Sequence, residues 1–224
     1  MVRPQVFVLG DSISLDYGES LRSSLAPWAD YRRKEGGDLA RLNLDVAGGA
    51  NGGDSGQVLE YLEVAADDIG QPDLMLLNCG LHDIKRAQPA NALQVPIDTY
   101  ATQLNKIITL AAQRSWPLWW LRITPLLDNI HNRRPGIRFH RHAADVDAYN
   151  ACADQLMAAA GIPIIDLHAF TLGLGDAIDL YRDHVHFQPA ICAAQGHWLA
   201  GCVFSYVFIS RGLCPLGLPR SALA

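Results

Sequence analysis

The stretch Gln5-Val6-Phe7-Val8-Leu9-Gly10-Asp11-Ser12-Ile13-Ser14 carries the reading of the fold. Its apolar run is short, partly β-branched and aromatic, and ends in Gly-Asp, as expected where a buried strand gives way to a loop. Gly10 permits a tight turn that leaves the Ser12 hydroxyl exposed at the top of a sheet, near a helix N-terminus. A serine in that position is either a candidate nucleophile or the cap of the following helix, and the tripeptide alone does not choose.

Working outward, four more runs of this kind lie at residues 42–46, 74–79, 118–123 and 162–166. Between them, residues 57–68, 97–114 and 143–160 carry apolar side chains at three- and four-residue spacing, which predicts helices with one buried stripe. In the last of these Val146, Tyr149, Ala153, Leu156 and Met157 share a face, and Gly161 and Pro163 stop the helix. The alternation predicts an α/β fold of three layers, with a five-stranded parallel sheet of flavodoxin-like type. Residues 198–209 are the most apolar stretch but fall short of the ~20 residues of a membrane span, so they predict a buried final helix. The tail, residues 212–224, has no readable role.

The chain has 224 residues, enough for one core, and a single domain over 1–224 is expected. Half of the residues are apolar, 18% are charged and the net charge is -5, which leaves no electrostatic footprint for nucleic acid. The five cysteines, Cys79, Cys152, Cys192, Cys202 and Cys214, are odd in number, irregularly spaced and without CxxC pairs. They read as reduced thiols rather than a disulfide scaffold or zinc ribbon. The first residues enter a strand without the basic region, apolar core and cleavage site of a signal peptide, so the sequence as given is expected in the cytoplasm and off the membrane. The oligomeric state is not legible.

In such sheets ligands gather beyond the carboxyl ends of the strands, so chemistry is expected just after each run. A nucleophilic serine requires a histidine and a group to orient it. Asp183-His184-Val185-His186-Phe187 offers both in one loop, with His186 as base and Asp183 as orienter. The alternate pair His184 and His186 also suits a metal, but no cysteine or carboxylate cluster completes a tetrahedral site, and neither metal nor organic cofactor is expected. The glycine-rich loop Ala47-Gly48-Gly49-Ala50-Asn51-Gly52-Gly53-Asp54-Ser55-Gly56 leads into a helix and presents free N–H groups, the device that cradles a phosphate or an oxyanion. Neither common phosphate-loop fingerprint is present. After the third run stands Asn78-Cys79-Gly80-Leu81-His82-Asp83-Ile84-Lys85.

With these pieces in strand-end order, the chain resembles the SGNH/GDSL hydrolase family over nearly its whole length. GDSIS is similar to that family's first block and DHVHF to its last. The resemblance implies an esterase in which Ser12 forms the acyl-enzyme, His186 and Asp183 complete the triad, and the backbone N–H groups of Ser12 and Gly53 bind the oxyanion. Gly52 and Gly48 are alternatives if the loop aligns differently. The family's third block is normally Gly-x-Asn-Asp, whereas this chain has Gly80-Leu81-His82-Asp83. A histidine there can donate from a ring nitrogen but also titrates, so activity is expected to depend on pH through two histidines if His82 takes the role. Otherwise His82 braces the loop, and Asn78 or Asn51 donates. The stretch NCGLHDIK is also similar to a subgroup rich in carbohydrate acetylesterases, which points to a small acetyl ester, plausibly on a sugar, as substrate.

The loop at residues 124–142 follows the fourth run and is expected to overhang Ser12; its four arginines and three histidines either bind an anionic substrate group or form a solvated surface. Asp11, Asn51 and Arg138 are the residues assigned to substrate. Trp116, Trp119 and Trp120 are expected to pack in the core rather than stack on sugar. The rival functions are a non-catalytic carbohydrate-binding relative, a lipase or thioesterase on other acyl esters, and a metal-dependent phosphoesterase using Asp11, His184 and His186.

Overall fold

The computed structural model describes residues 3–136 and 138–210. In chain order it begins with β1 (Gln5–Leu9), α1 (Ser12–Leu25), β2 (Asp30–Arg33), α2 (Gly37–Leu42), α3 (Ser55–Val64), α4 (Ala66–Ile69) and β3 (Leu74–Leu77). There follow β4 (Arg86–Ala87), β5 (Ala92–Leu93), α5 (Ile97–Gln113), β6 (Leu118–Leu121), α6 (Asp128–His131) and β7 (Phe139–His140). The chain then forms α7 (Ala143–Ala159), β8 (Ile164–Ile165), α8 (Leu167–Leu172), a 3-10 turn at Ala177–Leu180 and α9 (Pro189–Ser210).

The main sheet has five parallel strands in the order β2-β1-β3-β6-β8. Strand order reverses beside β1, which opens a crevice at the carboxyl ends of β1 and β3. Every residue of β3 and β6, and all of β1 after Gln5, is buried, which explains why these strands have unbroken apolar runs. Helices cover the sheet because its apolar faces must be buried: α1 packs on α9, and α3, α5 and α7 pack in succession. A Cβ on Gly196 would lie 2.6 Å from the Tyr17 carbonyl oxygen and 2.7 Å from the Leu21 nitrogen, so glycine there lets α9 touch the backbone of α1.

Four of the five expected strands form where the runs lie, but the second does not. Residues 42–46 end α2 and turn on the Asn43 side chain, which accepts from Asp45 N at 3.0 Å; Leu42 is 82% and Val46 56% exposed. The strand is instead Asp30–Arg33, paired on one side only, to β1. An edge strand needs little apolar surface, so its Asp-Tyr-Arg-Arg sequence hides it from a search for buried runs. The helix expected at 57–68 starts earlier, at Ser55, where Asp54 and Gln57 form a capping box, and splits at Ala65 into α3 and α4. The helices expected at 97–114 and 143–160 are α5 and α7.

A second sheet, antiparallel β5-β4-β7, was not legible in the sequence, because its strands of two residues are too short to show a period. It joins the loop after β3 to the basic loop after β6. Trp116, Trp119 and Trp120 are all buried, with Trp116 Nε1 donating to the Gly70 carbonyl at 2.7 Å. Cys79, Cys152, Cys192 and Cys202 are unpaired thiols; Cys214 and the tail lie outside the described residues. Among the described residues no helix is long and apolar enough to cross a membrane.

Replacing Gly196 by alanine is expected to force α9 off α1 at a cost of about 1–3 kcal/mol. Denaturant unfolding measures this, and an unchanged midpoint would show that the two helices do not need this contact.

Candidate active site

Ser12 opens α1. A Cβ on Gly10 would lie 2.9 Å from Ser14 Cβ, so the turn between β1 and α1 closes tightly only with glycine. Asp11 caps the helix, its Oδ1 accepting from Ile13 N at 2.9 Å. Ser12 is the first helical residue, so its N–H has no intrahelical acceptor.

The structure brings Ser12, His186 and Asp183 together across 174 residues of chain: His186 Nε2 lies 2.9 Å from Ser12 Oγ. On its other side, His186 Nδ1 lies 2.8 Å from Asp183 Oδ2. Asp183 Oδ1 also accepts from the N–H groups of Val185 (2.9 Å) and His186 (2.8 Å), which folds the loop around the carboxylate. Partial burial would raise the Asp183 pKa, but the bonds from the His186 ring and these two N–H groups hold it well below the usual carboxylate range. The carboxylate is therefore charged wherever the imidazole works.

The glycine-rich loop is internally bonded. Gly52 N donates to the Gly10 carbonyl (2.9 Å), and Gly53 N donates to Asn51 Oδ1 (3.0 Å), so neither N–H stands free. Asn51 is fully buried, and its Nδ2 donates to the carbonyls of Leu44 (3.2 Å) and Val46 (3.4 Å). Expected at the substrate, Asn51 acts as the brace of this loop instead. Asn78, the other alternative donor, gives its amide to the Leu121 carbonyl at 2.8 Å.

His82 is buried, and its Nδ1 lies 3.0 Å from Lys85 Nζ. Burial, together with the positive charges of Lys85 and Arg141, pushes its pKa well below the ordinary histidine value. The ring is thus held toward its neutral form, which weighs against a second histidine titrating near neutral pH. Among the described residues no protein acceptor meets its Nε2. Beside it, Asp83 accepts from Ser55 N at 3.0 Å and from the Ser55 hydroxyl, tying the loop after β3 to the start of α3. Burial raises the Asp83 pKa to about 7 against the opposing effect of these bonds.

In the loop of residues 128–142, His131 and Arg141 turn inward, whereas Arg133, Arg134 and Arg138 are exposed. Arg141 is buried and donates from Nε to the Leu81 carbonyl at 2.6 Å; Arg134 pairs with Asp45 at 3.0 Å. His131 is wholly buried, with Nδ1 2.8 Å from His184 Nδ1, while His184 Nε2 faces Asp45 Oδ1 at 3.2 Å. Arg138, expected at the substrate, is exposed, and Gln88 N donates to its carbonyl (3.3 Å). Asp11, also assigned to substrate, is buried with Oδ2 unpartnered, and burial raises its pKa. Asp183, His184 and His186 each place a potential metal-ligand atom within 4.8 Å of the others, yet the ring of His186 already meets Ser12 and Asp183, and that of His184 meets His131.

Lys85, Arg141, Asp45 and Asp83 were missed as site residues. Lys85 had a signal in its place three residues after His82, which puts the two on one turn; Asp45 had none, since it lies in a segment expected to be a strand.

The model of the GDSL-like Lipase/Acylhydrolase family matches residues 8–194. The chain belongs to this family. Comparison with curated proteins finds no match. Among solved structures, a lipase/acylhydrolase from Enterococcus faecalis aligns with a TM-score of 0.65 at 14% identity, covering 89% of this chain and 95% of that one. An acetyl xylan esterase aligns with a TM-score of 0.61 at 14% identity, over 91% and 99% of the two chains. A psychrotrophic esterase from Pseudoalteromonas sp. gives 0.60 at 14% identity, over 91% and 98%. At these identities the likeness is one of fold.

Replacing Asn51 by alanine is expected to leave the buried Gly53 N–H without its partner, at about 1–3 kcal/mol, and to remove one bond each from the Leu44 and Val46 carbonyls. Thermal and denaturant unfolding measure the loss, and stability equal to the parent's would mean that the loop holds itself without this side chain.

Proposed function

We propose that this member of the GDSL-like family is a serine esterase that hydrolyses small acyl esters, acetyl groups on carbohydrates being the favoured substrates. The observation that carries the reading is the 2.9 Å contact of Ser12 Oγ with His186 Nε2, with Asp183 on the far ring nitrogen. A serine hydroxyl becomes a nucleophile when a neighbouring base takes its proton, and this is the geometry that transfer needs. Ser12 Oγ attacks the ester carbonyl as His186 takes its proton, and the imidazolium is stabilised by Asp183. The proton passes to the departing alcohol, leaving an acyl-enzyme. Water, deprotonated by the same imidazole, then releases the acid and restores Ser12. The Ser12 N–H and His82 Nε2 are the donors proposed for the oxyanion, each worth on the order of 3 kcal/mol when well aimed. Gly53 joins them by sharing its N–H between Asn51 Oδ1 and the oxyanion.

Support for an acetylated sugar comes from the likeness of NCGLHDIK to carbohydrate acetylesterases and from the acetyl xylan esterase among the structural relatives. A second reading, hydrolysis of longer acyl esters, is favoured by the exposed Leu39, Leu42 and Val46 on the segment that Asn51 braces. A panel of acetylated sugars and acyl chain lengths separates the two readings.

Ser12→Ala is expected to lower turnover of p-nitrophenyl acetate by at least about a thousandfold, and a serine-directed phosphonate to label Ser12, read by mass spectrometry. Retained activity in that variant would falsify the assignment. Hydrogen bonds hold the Asp183 pKa below the usual carboxylate range, and burial holds that of His82 well below the ordinary histidine value, so neither is expected to add an ionisation near neutral pH. His82→Asn is accordingly expected to lower kcat without changing the shape of the pH–rate profile.

A further inference from the structure

We propose that Lys85 is a positioning residue that fixes the His82 imidazole in the tautomer protonated on Nε2, so that the ring offers an N–H to the reacting ester. The purpose of this device rests on the esterase reading above; the tautomer itself follows from geometry. Lys85 N donates to the His82 carbonyl at 3.3 Å, so both side chains leave the same turn. Lys85 Nζ then lies 3.0 Å from His82 Nδ1 and 2.6 Å from the Asp45 carbonyl. An ammonium group only donates, so the Nδ1 it meets is bare, and the single proton of the neutral ring sits on Nε2.

The lysine is itself held in place. It is buried, its Nζ lies 4.9 Å from the centre of the Phe139 ring, and the Asp45 carbonyl fixes its second bond. Three separate segments thus converge on one ammonium: the turn after β3, the Asn43 turn and β7. The charged groups acting on Lys85 are Arg141, Asp45, Asp11 and Asp54; those acting on His82 are Lys85, Arg141, Asp45 and His186. Around His82 the two buried cations oppose a third positive charge, and burial adds to them, whereas Asp45 alone favours one.

The chemical logic explains why a lysine accompanies this histidine. An asparagine amide at position 82 would carry its donor at every pH and in one form. An imidazole offers a donor on Nε2 in only one of two neutral tautomers, so its other nitrogen must be told which role to take.

Nitrogen-15 spectra of histidine-labelled full-length protein test the tautomer directly, without any variant. His82 is expected to show a bare Nδ1 and a protonated Nε2 across about pH 6 to 7, below the value of about 8 to which burial lowers the Lys85 pKa. A proton on Nδ1, or an imidazolium in that range, overturns the proposal. Kinetics with p-nitrophenyl acetate test the consequence. Lys85→Met is expected to lower kcat on the order of 10- to 100-fold with little change in KM, and to add a second ionisation to the acid limb. Lys85→Arg, which keeps a donor, is expected to remove that second ionisation. In a His82→Asn background Lys85→Met should change kcat by less than about twofold, because the group it acts through is gone. Full additive loss in the double variant would show that Lys85 acts elsewhere. Should Ser12→Ala stay active, the esterase reading fails while the spectra still decide the tautomer, so the two failures are distinguishable.

Discussion

The hydrogen bond between Ser12 Oγ and His186 Nε2 spans 2.9 Å, and its two ends belong to opposite ends of the chain. Local structure prepares each end: Asp11 caps α1 beneath the serine, and Asp183 gathers its own loop around the imidazole. Neither device brings the ends together. That is the work of two helices, because α1 begins at Ser12, α9 begins just after His186, and the two lie in backbone contact where Gly196 has no side chain. The distance between nucleophile and base is therefore set by helix packing over the sheet.

A buried polar layer surrounds this pair and gives it a fixed electrostatic setting. Asp83 binds the start of α3, Lys85 reaches the Asn43 turn, Arg141 holds the Leu81 carbonyl, and His184 meets His131. In a medium of low dielectric such bonds are strong and their absence is expensive, so the loops around Ser12 constrain one another. Burial also decides which groups carry charge. It drives His131 down to about 3 and His82 well below its ordinary value, while the hydrogen-bonded Asp183 remains anionic. One histidine of the cluster, His186, is left placed between an acid and a hydroxyl.

Much of the fold was legible because burial leaves a mark on composition. The runs at Gln5, Leu74 and Leu118 are covered on both faces and are apolar almost throughout. The edge strand Asp30–Arg33 left no such mark, since one side of it faces solvent, and the apolar residues of 42–46 imitated it from a turn. The candidate site divides in the same way. Ser12, Asp183 and His186 stand in short motifs whose spacing is local. Lys85, Asp45 and Arg141 were not legible as partners, because each reaches a group that is distant in the chain or lies in a segment whose form was misread. Asn51 and Arg138 were chosen for their chemistry, but the fold turned one inward to brace a loop and the other outward to solvent.

The amino-acid sequence by itself determined the parallel α/β architecture, the positions of its inner strands and the residue types able to supply a nucleophile, a base and an orienting acid. Periodicity and motif spacing are properties of neighbouring residues, so they survive without coordinates. Only the tertiary structure decided which polar groups are free and which are already bonded: that the Gly53 N–H is held by Asn51, that burial disfavours a charge on His82, and that a lysine sits on its Nδ1. Such outcomes depend on distances between segments far apart in the chain and on the water excluded between them, and both exist only once the core has closed.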